Sequence, residues 1–558
     1  MDKTISKYLI IGTPLISAFL WTSGTTDPVN ATKLFILGGI AGAVGLVLMV
    51  FCRADYWKNS RTLVLLVLFY FLAMLNALFF GVAPFLQNFY GEYGRQTGFL
   101  TYFFLLVLFL AATLIQDKDV HRFFIFGIFV VGVLNIAYCS WVILFGDFLP
   151  WNNIYRKILG LFGNPDFISA YLGIFIVACF AYLFSTAVKN MFKLGLILLS
   201  LIALWQILHS HAIQGLVVMI GGMVLVGFYL VRSIDKSKYL QMAYLLGSVI
   251  FGFIAIMGTL QKGPLSFVYK KSVSLRGSYW RAGINMGMDH PFNGVGFDGY
   301  GDFYRQARPP VALIDMPGVQ VVTNVAHNVF IDFFATGGWP LLISYVLLFS
   351  FVTIRIIKFT IGNKKFNPVF VTLSVTWVCY VVQSIISINQ IGLAVWGWVL
   401  GGAIISYTNF PLENDSTNTG KASSKKQVST GVVSPKLVAG IGFVIGLIIA
   451  YPPLGSDARW KSALDSRNLN NIENSLDNSF LNPVPSSRFS IAYQLFANSN
   501  LPDKALKYAR LVTKSNPNYF DGWRALYLLP SSSAEEKVLA EKNLRRLDPK
   551  NPNVLSAS

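Results

Sequence analysis

The sequence predicts an all-α fold, a polytopic transmembrane helical bundle of about 12–13 spans with a large outer loop and a small C-terminal helical domain. Of the 558 residues, 54% are hydrophobic and 13% are charged, whereas soluble domains carry about 25% charged residues. Apolar stretches long enough to cross a membrane recur from near residue 5 to near residue 454. Stretches such as 62–80 are apolar on every side, which favours helices over the alternating strands of a barrel.

The apolar stretches give both the spans and their direction. If Lys3 and Lys7 are cytoplasmic, every second connection is cytoplasmic too, and those connections collect lysine and arginine as the positive-inside rule requires. The predicted spans lie near residues 5–21, 33–52, 62–80, 98–115, 122–146, 167–186, 194–210, 212–231, 241–260, 328–354, 366–387, 390–408 and 437–454.

The composition changes after residue 410, where a stretch rich in Ser, Thr, Asn and Lys indicates a flexible linker. One more apolar span then carries the chain to the outer face. The predicted parts are a transmembrane domain, its outer loop, a cytoplasmic linker, a final transmembrane helix and an outer helical domain, at residues 1–410, 261–326, 411–436, 437–454 and 455–558 respectively.

Two helical patterns in the C-terminal domain, Asp503–Ser515 and Ala534–Leu547, are each followed by a proline corner. Asn516-Pro517 and Asp548-Pro549 lie 32 residues apart, a spacing that resembles tetratricopeptide repeats of about 34 residues. A generic helical hairpin has the same spacing, so both interpretations stay open. Repeats of this kind bind proteins, which suggests an acceptor or envelope-assembly proteins as partners.

The formal net charge of +19 does not indicate a nucleic-acid partner, because basic residues of membrane proteins collect in cytoplasmic loops and lipid-phosphate sites. The four cysteines lie within or at the ends of apolar spans, which excludes a disulfide framework. The five histidines lack the spacing of a zinc site. We therefore predict no metal and no cofactor.

Basic residues on the predicted outer face are few, and they lie in three places: Arg95, the pair Arg156-Lys157, and the loop 261–326. Cationic side chains beside helix ends bind anionic head groups or a pyrophosphate. For any one of them, plain contact with bilayer phosphates is the simpler alternative.

The long loop combines arginines, glycines and a histidine. Gly294 and Gly296 allow backbone to approach a ligand closely, although a tight turn would use them equally well. Asp289, Asp298 and Asp302 either bind sugar hydroxyls or serve as caps and solvated charges. The runs that carry these residues are Leu275-Arg276-Gly277-Ser278-Tyr279-Trp280-Arg281, Asp289-His290-Pro291-Phe292-Asn293-Gly294-Val295-Gly296 and Ala326-His327-Asn328.

These motifs together resemble the O-antigen ligase and polymerase superfamily, over roughly residues 60 to 410. The loop motifs, with Gly337-Gly338 ten residues beyond His327-Asn328, carry most of the resemblance. Further matching pieces are Gly94-Arg95-Gln96-Thr97-Gly98, Phe162-Gly163-Asn164-Pro165-Asp166, and Gln383-Ser384 to Gln390.

The resemblance implies an enzyme of the bacterial inner membrane that moves glycan from an undecaprenyl-pyrophosphate donor to a hydroxyl acceptor at the outer leaflet, without metal. The family's histidine matches His327, and its loop arginine best matches Arg276, with Arg281 as a less close substitute. Where the family has a Ser-Arg-Gly motif, this chain has Gln214-Gly215, and glutamine donates a hydrogen bond but no charge.

We therefore predict that His327 and Arg276 are catalytic. Arginines that bind pyrophosphate bidentately stabilise the leaving anion, and a neutral imidazole accepts the acceptor's proton, with inversion at the sugar carbon. His290 and His121 are expected to be structural, while His209 and His211 either contact the acceptor or pack at the interface. The predicted substrate-binding residues are Arg95, Arg156, Arg281, Gln214, Asn328, Gly294, Gly296 and Gln383.

The sequence leaves three classes of function to compare: an enzyme, a transporter and a scaffold. An enzyme of this kind could ligate glycan to a lipid core, polymerise repeat units, or glycosylate protein hydroxyls, since the chemistry is shared. A transporter of the same lipid would favour repeated halves with broken helices, which the sequence lacks. A scaffold role for the outer domain is compatible with the enzyme.

Overall fold

The computed structural model describes residues 1–52, 60–234, 238–266, 271–314, 318–410 and 433–555, except the side chains of residues 271–273. Most of the predicted linker at 411–436 lies outside the described residues.

The described chain folds into helices, and its only β feature is an isolated bridge between Ser479 and Asn482. The helices are α1 (Asp2–Ala18), α2 (Asn30–Phe51), α3 (Arg61–Phe80), α4 (Phe85–Tyr90), α5 (Phe99–Thr113), α6 (Val120–Phe145), α7 (Pro165–Leu183), α8 (Asn190–Ser210), α9 (Ile213–Ile234), α10 (Lys238–Thr259), α11 (Lys271–Asp289), α12 (Tyr300–Ala307), α13 (Val311–Ile314), α14 (Val329–Gly362), α15 (Pro368–Ile385), α16 (Ile391–Tyr407), α17 (Pro435–Asp465), α18 (Leu469–Ser475), α19 (Ser486–Asn498), α20 (Pro502–Ser515), α21 (Phe520–Leu528) and α22 (Ala534–Leu547).

Ten of the described helices are long and apolar enough to cross a membrane: α2, α3, α6, α7, α8, α9, α10, α14, α15 and α17. Helices α5 and α16 are shorter but also apolar, and α1 occupies the first predicted span. The chain is a multi-pass helical membrane protein, and the predicted fold class is confirmed.

Several helices begin at a polar residue that caps their first backbone N–H groups. Asn164 accepts a hydrogen bond from Asp166 N at the start of α7, and Asn367 accepts one from Phe370 N at the start of α15. Gln390 caps α16 through Leu393 N. Because a proline follows each asparagine, the first helical residue has no N–H to satisfy. The sequence thus fixes these helix starts locally.

Residues of the connections 19–29, 81–98, 146–164, 318–328 and 386–390 line one cleft at the same end of the bundle, which we call the loop-rich end. There the side chain of Asn30 donates to Gly94 O (2.7 Å). The candidate site described below lies among these connections.

Helix α14 is kinked where Gly338 takes a positive φ of 64°, and Pro340 follows two residues later. The kink frees backbone groups that pair with the loop-rich end. Val295 N donates to Ala335 O (2.8 Å), and Trp339 N donates to Pro291 O (2.8 Å). The glycine pair after His327 therefore docks the long loop onto α14.

Helix α17 packs closely on α2 through glycines on both helices. A side chain at Gly42 would collide with Gly442 and Gly446, and one at Gly38 would collide with Ala450. Such small residues let two membrane helices approach closely. The helix then continues without a break to Asp465, so the predicted boundary at residue 455 falls inside it.

Residues 466–555 form a helical domain in which α19 packs on α20, α20 on α21, and α21 on α22. Its core includes Phe496 and Tyr508 in one cluster and Trp523 and Leu544 in another. Asn516 and Asp548, the two residues before the prolines, are the C-caps of α20 and α22. The resemblance to tetratricopeptide repeats stays a prediction.

A buried carboxylate joins this domain to the membrane bundle. Asp457 on α17 accepts hydrogen bonds from the backbone N–H of Thr26 (2.9 Å) and Asp27 (2.8 Å), and it pairs with Arg488 of α19 (2.7 Å). The domain therefore sits on the loop-rich end.

Candidate functional site

His327 lies in a turn that is held in an unusual conformation. Its φ of 56° is left-handed, a region that costs a residue other than glycine of order 1 kcal/mol or more. Asn328 caps α14 by accepting from Phe330 N (3.0 Å) and Ile331 N (3.2 Å). Asp332 accepts from Ala326 N (2.6 Å). These contacts fix the turn from both sides of the histidine.

The imidazole of His327 is partly buried and lies against the ring of Tyr279 of α11, at a centroid distance of 5.8 Å and an interplanar angle of 28°. Burial and the positive charges of Arg95 and Arg276 lower the pKa of His327 to about 3. The ring is therefore neutral at physiological pH. The structure thus brings together three predicted site residues from widely separated segments.

Arg95 lies in the turn between α4 and α5, and Asp298 of the long loop holds that turn. The Asp298 carboxylate accepts from Glu92 N (2.9 Å), Thr97 N (3.0 Å) and Thr97 Oγ1 (2.6 Å). Burial raises the pKa of Asp298, while these hydrogen bonds and the charge of Arg95 oppose the rise. Asp298 thereby fixes the position of the Arg95 backbone.

Arg276 of α11 is partly buried near the start of α7. Burial lowers the pKa of Arg276, and the negative charge of Asp166 opposes that shift. Asp166 belongs to the Asn164-Pro165-Asp166 corner that starts α7. Asp166, in the Phe162–Asp166 motif, therefore interacts electrostatically with Arg276 of the long loop.

A cleft of about 660 Å³ opens at the loop-rich end, and Arg95 lies in its wall. Its size lies within the range of about 300–1,000 Å³ that is usual for ligand pockets. Amides, aromatic rings and two cationic side chains line it, including Asn30, Tyr93, Arg95, Trp151, Tyr155, Asn164, Phe167, Asn324, Asn389, Gln390 and Lys461. Lys461 comes from the part of α17 beyond the predicted final span.

A chamber of about 30 Å³ lies next to the cleft and shares part of its wall. Arg95, Asn324 and Asn389 line both spaces, while Asp298 and Asp332 line only the chamber. Arg95 therefore lies between the cleft and the chamber. The chamber contains Asp298, which holds the Arg95 turn, and Asp332, which holds the His327 turn.

Several predicted substrate-binding residues contact protein in this structure. Gly294 (φ 65°) lies against the backbone of Thr336 and Gly337, and Gly296 (φ 96°) lies against the side chain of Asn88. Gly296 N also donates to Thr336 O (3.0 Å), so both glycines serve the docking of the long loop on α14, and Gly296 packs on α4 as well. Asn328 is a helix cap, as described above.

The remaining predicted residues are not brought to His327 by any described contact. Arg156 and Arg281 are exposed. Gln214 is 4% exposed, and neither its side-chain nitrogen nor its oxygen has a hydrogen-bond partner among the described residues. Gln383 is 1% exposed, and its Nε2 likewise has no partner in the described part of the chain.

The other histidines have packing contacts. His121 is fully buried and its Nε2 lies 2.9 Å from Ser406 Oγ, as expected of a structural residue. His290 packs edge-on against Phe303, and His209 lies against Trp205. Within the described residues no group of three or more His, Cys, Asp or Glu side chains is arranged to hold a metal ion.

Sequence reasoning missed four contributors: Asp332, Asn324, Asn389 and Lys461. Asn389 lies within the stretch Gln383–Gln390, so the motif pointed to this part of the chain but not to the residue itself. No local pattern marks the others, because each acquires its role only where distant segments meet.

Residues 167–346 match the model of the O-antigen ligase family. This part of the chain is similar to an O-antigen ligase domain, and we refer to it by that name. It runs from α7 through the long loop to beyond the α14 kink, and so contains both Arg276 and His327. The resemblance predicted from the motifs is confirmed. No curated protein matches the chain.

The O-antigen ligase domain does not contain the whole cleft. Arg95 comes from the preceding part of the chain, Asn389 from the part that follows, and Lys461 from α17. The family match supports a membrane enzyme of the type that transfers lipid-linked glycan.

Proposed function

We propose that the protein is an inverting glycosyltransferase that moves glycan from an undecaprenyl-pyrophosphate donor to a hydroxyl acceptor at the outer leaflet of the bacterial inner membrane. The observation that carries the proposal is that the charges of Arg95 and Arg276 act on His327, and that Arg95 also lines the cleft. A neutral imidazole beside two guanidinium groups suits a reaction with an anionic leaving group.

In this proposal Arg95 and Arg276 bind the pyrophosphate of the donor. Guanidinium groups bind phosphate oxygens in a bidentate manner, and their charge stabilises the anion that grows as the bond from the sugar to the phosphate breaks. Gln214 replaces the arginine of the family pattern and supplies no charge. The two arginines beside His327 therefore supply the charge that the donor needs.

His327 takes the proton of the acceptor. The hydroxyl oxygen attacks the anomeric carbon, the bond to the pyrophosphate oxygen breaks with its electron pair, and the hydroxyl proton passes to the imidazole. With a pKa of about 3 the free imidazole is a weak base. Bound pyrophosphate offsets the two arginine charges, so donor binding raises this pKa and activates the base.

The cleft has the side chains that a glycan requires. Trp151 and Tyr155 offer aromatic faces, and the exposed Asn152 and Asn324 offer amide groups for sugar hydroxyls. The glycan of the donor or of the acceptor would lie there, beside Arg95.

The deciding experiment compares a strain lacking this protein with one that carries His327→Ala. Analysis of surface glycans and lipid-linked intermediates should show the same accumulated species in both. Accumulated single repeat units indicate a polymerase, and accumulated long lipid-linked chains indicate a ligase. Unchanged glycans and intermediates in both strains would contradict the proposed function.

Protein O-glycosylation is the alternative acceptor chemistry for the same site. Glycoproteins that disappear in the deletion strain, while lipid-anchored glycans remain, would favour an O-oligosaccharyltransferase. The same two strains therefore separate the acceptors.

A further inference from the structure

The C-terminal domain contacts one short helix of the O-antigen ligase domain at both of its ends. That helix is α12, which lies between Asp298 and the segment that leads to His327. The two contacts come from Asn516 and Asp548, which cap α20 and α22 at the same position relative to each proline corner.

At the C-terminal end of α12 the contact is a buried ion pair. Arg308 Nη2 donates to both carboxylate oxygens of Asp548, at 2.8 and 2.6 Å, and both side chains are fully buried. Arg305 lies 3.6 Å from the same carboxylate, and Lys550 Nζ donates to Arg308 O (2.7 Å). Removing one partner of such a pair leaves a buried charge without compensation.

From this end, ring contacts lead to His327. On α12 the ring of Tyr304 lies 5.9 Å from that of Tyr279, and the hydroxyl of Tyr300 donates to Tyr279 O. Tyr279 in turn lies against His327. The Asp548 ion pair therefore holds α12 in place, and α12 in turn positions Tyr279 against the imidazole of His327.

At the N-terminal end the contact is a buried amide. Asn516 Nδ2 donates to Asp302 Oδ2 (2.9 Å), and Gln87 Nε2 donates to the same oxygen (3.1 Å). Gln87 Nε2 also donates to Asp298 O (2.9 Å). Because Asp298 holds the Arg95 turn, this network leads from Asn516 to Arg95.

We propose that Asp548 and Asn516 are positioning residues of the candidate site, Asp548 for His327 and Asn516 for Arg95. The C-terminal domain is then an obligatory part of the enzyme in addition to any role in binding partners. The kinetic part of this inference rests on the proposed function, but the positions of His327 and Arg95 do not.

The first test reads those positions without any activity. Full-length protein in detergent is treated with diethyl pyrocarbonate, and the modification of each histidine is followed by mass spectrometry. We expect Asp548→Asn to raise the modification rate of His327 at least severalfold, with His209 and His121 as exposed and buried references. Phenylglyoxal labelling of Arg95 should change in the same way in Asn516→Ala.

The second test uses transfer kinetics with purified lipid-linked glycan. Asp548→Asn should lower kcat about tenfold or more with little change in the donor KM, because it displaces the base. Asn516→Ala should mainly raise the donor KM, because it displaces the pyrophosphate ligand. A general loss of folding would not lower kcat selectively in one variant and raise the donor KM selectively in the other.

Control variants are Glu535→Gln on the exposed first turn of α22 and Asn498→Ala at the end of α19, both expected to behave as wild type. If Asp548→Asn does not fold, Asp548→Glu keeps the charge and Lys550→Ala removes only the outer hydrogen bond; intermediate shifts of His327 labelling are expected. Wild-type labelling of His327 and Arg95 in all folded variants would overturn the inference. If the wild-type protein transfers no glycan, the proposed function fails, whereas the labelling results still test whether Asp548 and Asn516 position His327 and Arg95.

Discussion

At the scale of single residues, the candidate site depends on the charge around one imidazole. His327 is partly buried, and Arg95 and Arg276 add positive charge beside it, so its protonated form is disfavoured. Asp166 interacts electrostatically with Arg276, and Asp298 does so with Arg95. The arrangement keeps the base neutral and the anion-binding groups charged at the same pH.

Replacing the residues of this group should separate their roles. We expect His327→Ala to lower transfer by about 100-fold or more, the usual contribution of a general base. Arg276→Ala should weaken donor binding and lower kcat, and Arg276→Lys should recover part of the loss, because lysine keeps the charge without the bidentate geometry. Arg545→Ala, which removes an exposed arginine on α22, is the control and should keep wild-type transfer.

The pH dependence of transfer follows from the direction of the His327 shift. In the free enzyme the imidazole loses its proton at about pH 3, so kcat/KM should show no acidic limb from this group near pH 6.5. Once the donor is bound, its negative charge raises the pKa, and kcat should fall at acidic pH as the base becomes protonated. Rate profiles between pH 4 and 8 measure both. An acidic limb near pH 6.5 in kcat/KM that His327→Ala abolishes would contradict this account.

At the scale of elements, glycines decide how the long loop and α17 are attached. Gly294 needs a positive φ and lies against the backbone of α14. We expect Gly294→Ala to destabilise the docked loop by about 1–3 kcal/mol and to abolish most transfer. Gly252→Ala on α10, where an added Cβ would contact no other described segment within 4 Å, should leave both thermal stability and transfer unchanged.

The α2–α17 interface offers a matched pair of variants on one helix. Gly442 faces the backbone of Gly42, whereas Gly440 has nothing within 4 Å. Gly442→Leu should force the helices apart, lower the thermal unfolding temperature and reduce transfer, because α17 carries Asp457 and the C-terminal domain. Gly440→Leu faces open space and should do neither. Equal stability of the two variants would argue against this interface.

At the scale of the whole molecule, the proposed orientation places the loop-rich end and the C-terminal domain on the outer face. A variant in which serines replace the four cysteines allows single-cysteine labelling in cells. We expect Asn498→Cys to react with a membrane-impermeant maleimide in intact spheroplasts. Lys364→Cys, between α14 and α15, should react only after the membrane is permeabilised, and the reverse pattern would invert the topology.

The sequence by itself determined the all-α membrane fold, most helix starts and the family. These features are local. Apolar runs of membrane length define helices, Asn-Pro corners and Asn328 cap them, and the motifs around Arg276 and His327 lie in short segments. Even Arg95 could be singled out, because a cation against the positive-inside trend is visible without any contacts.

Only the tertiary structure decided which of those residues meet. It joined Arg95 and Arg276 to His327, and it left Arg156 and Arg281 exposed. It also turned Gly294 and Gly296 into docking residues and gave Asp298 and Asp548 partners more than 200 residues away in the chain. The physical reason is that hydropathy and capping act over a few residues, whereas a charge or a hydrogen-bonding group acquires its role from whatever distant segment packs beside it.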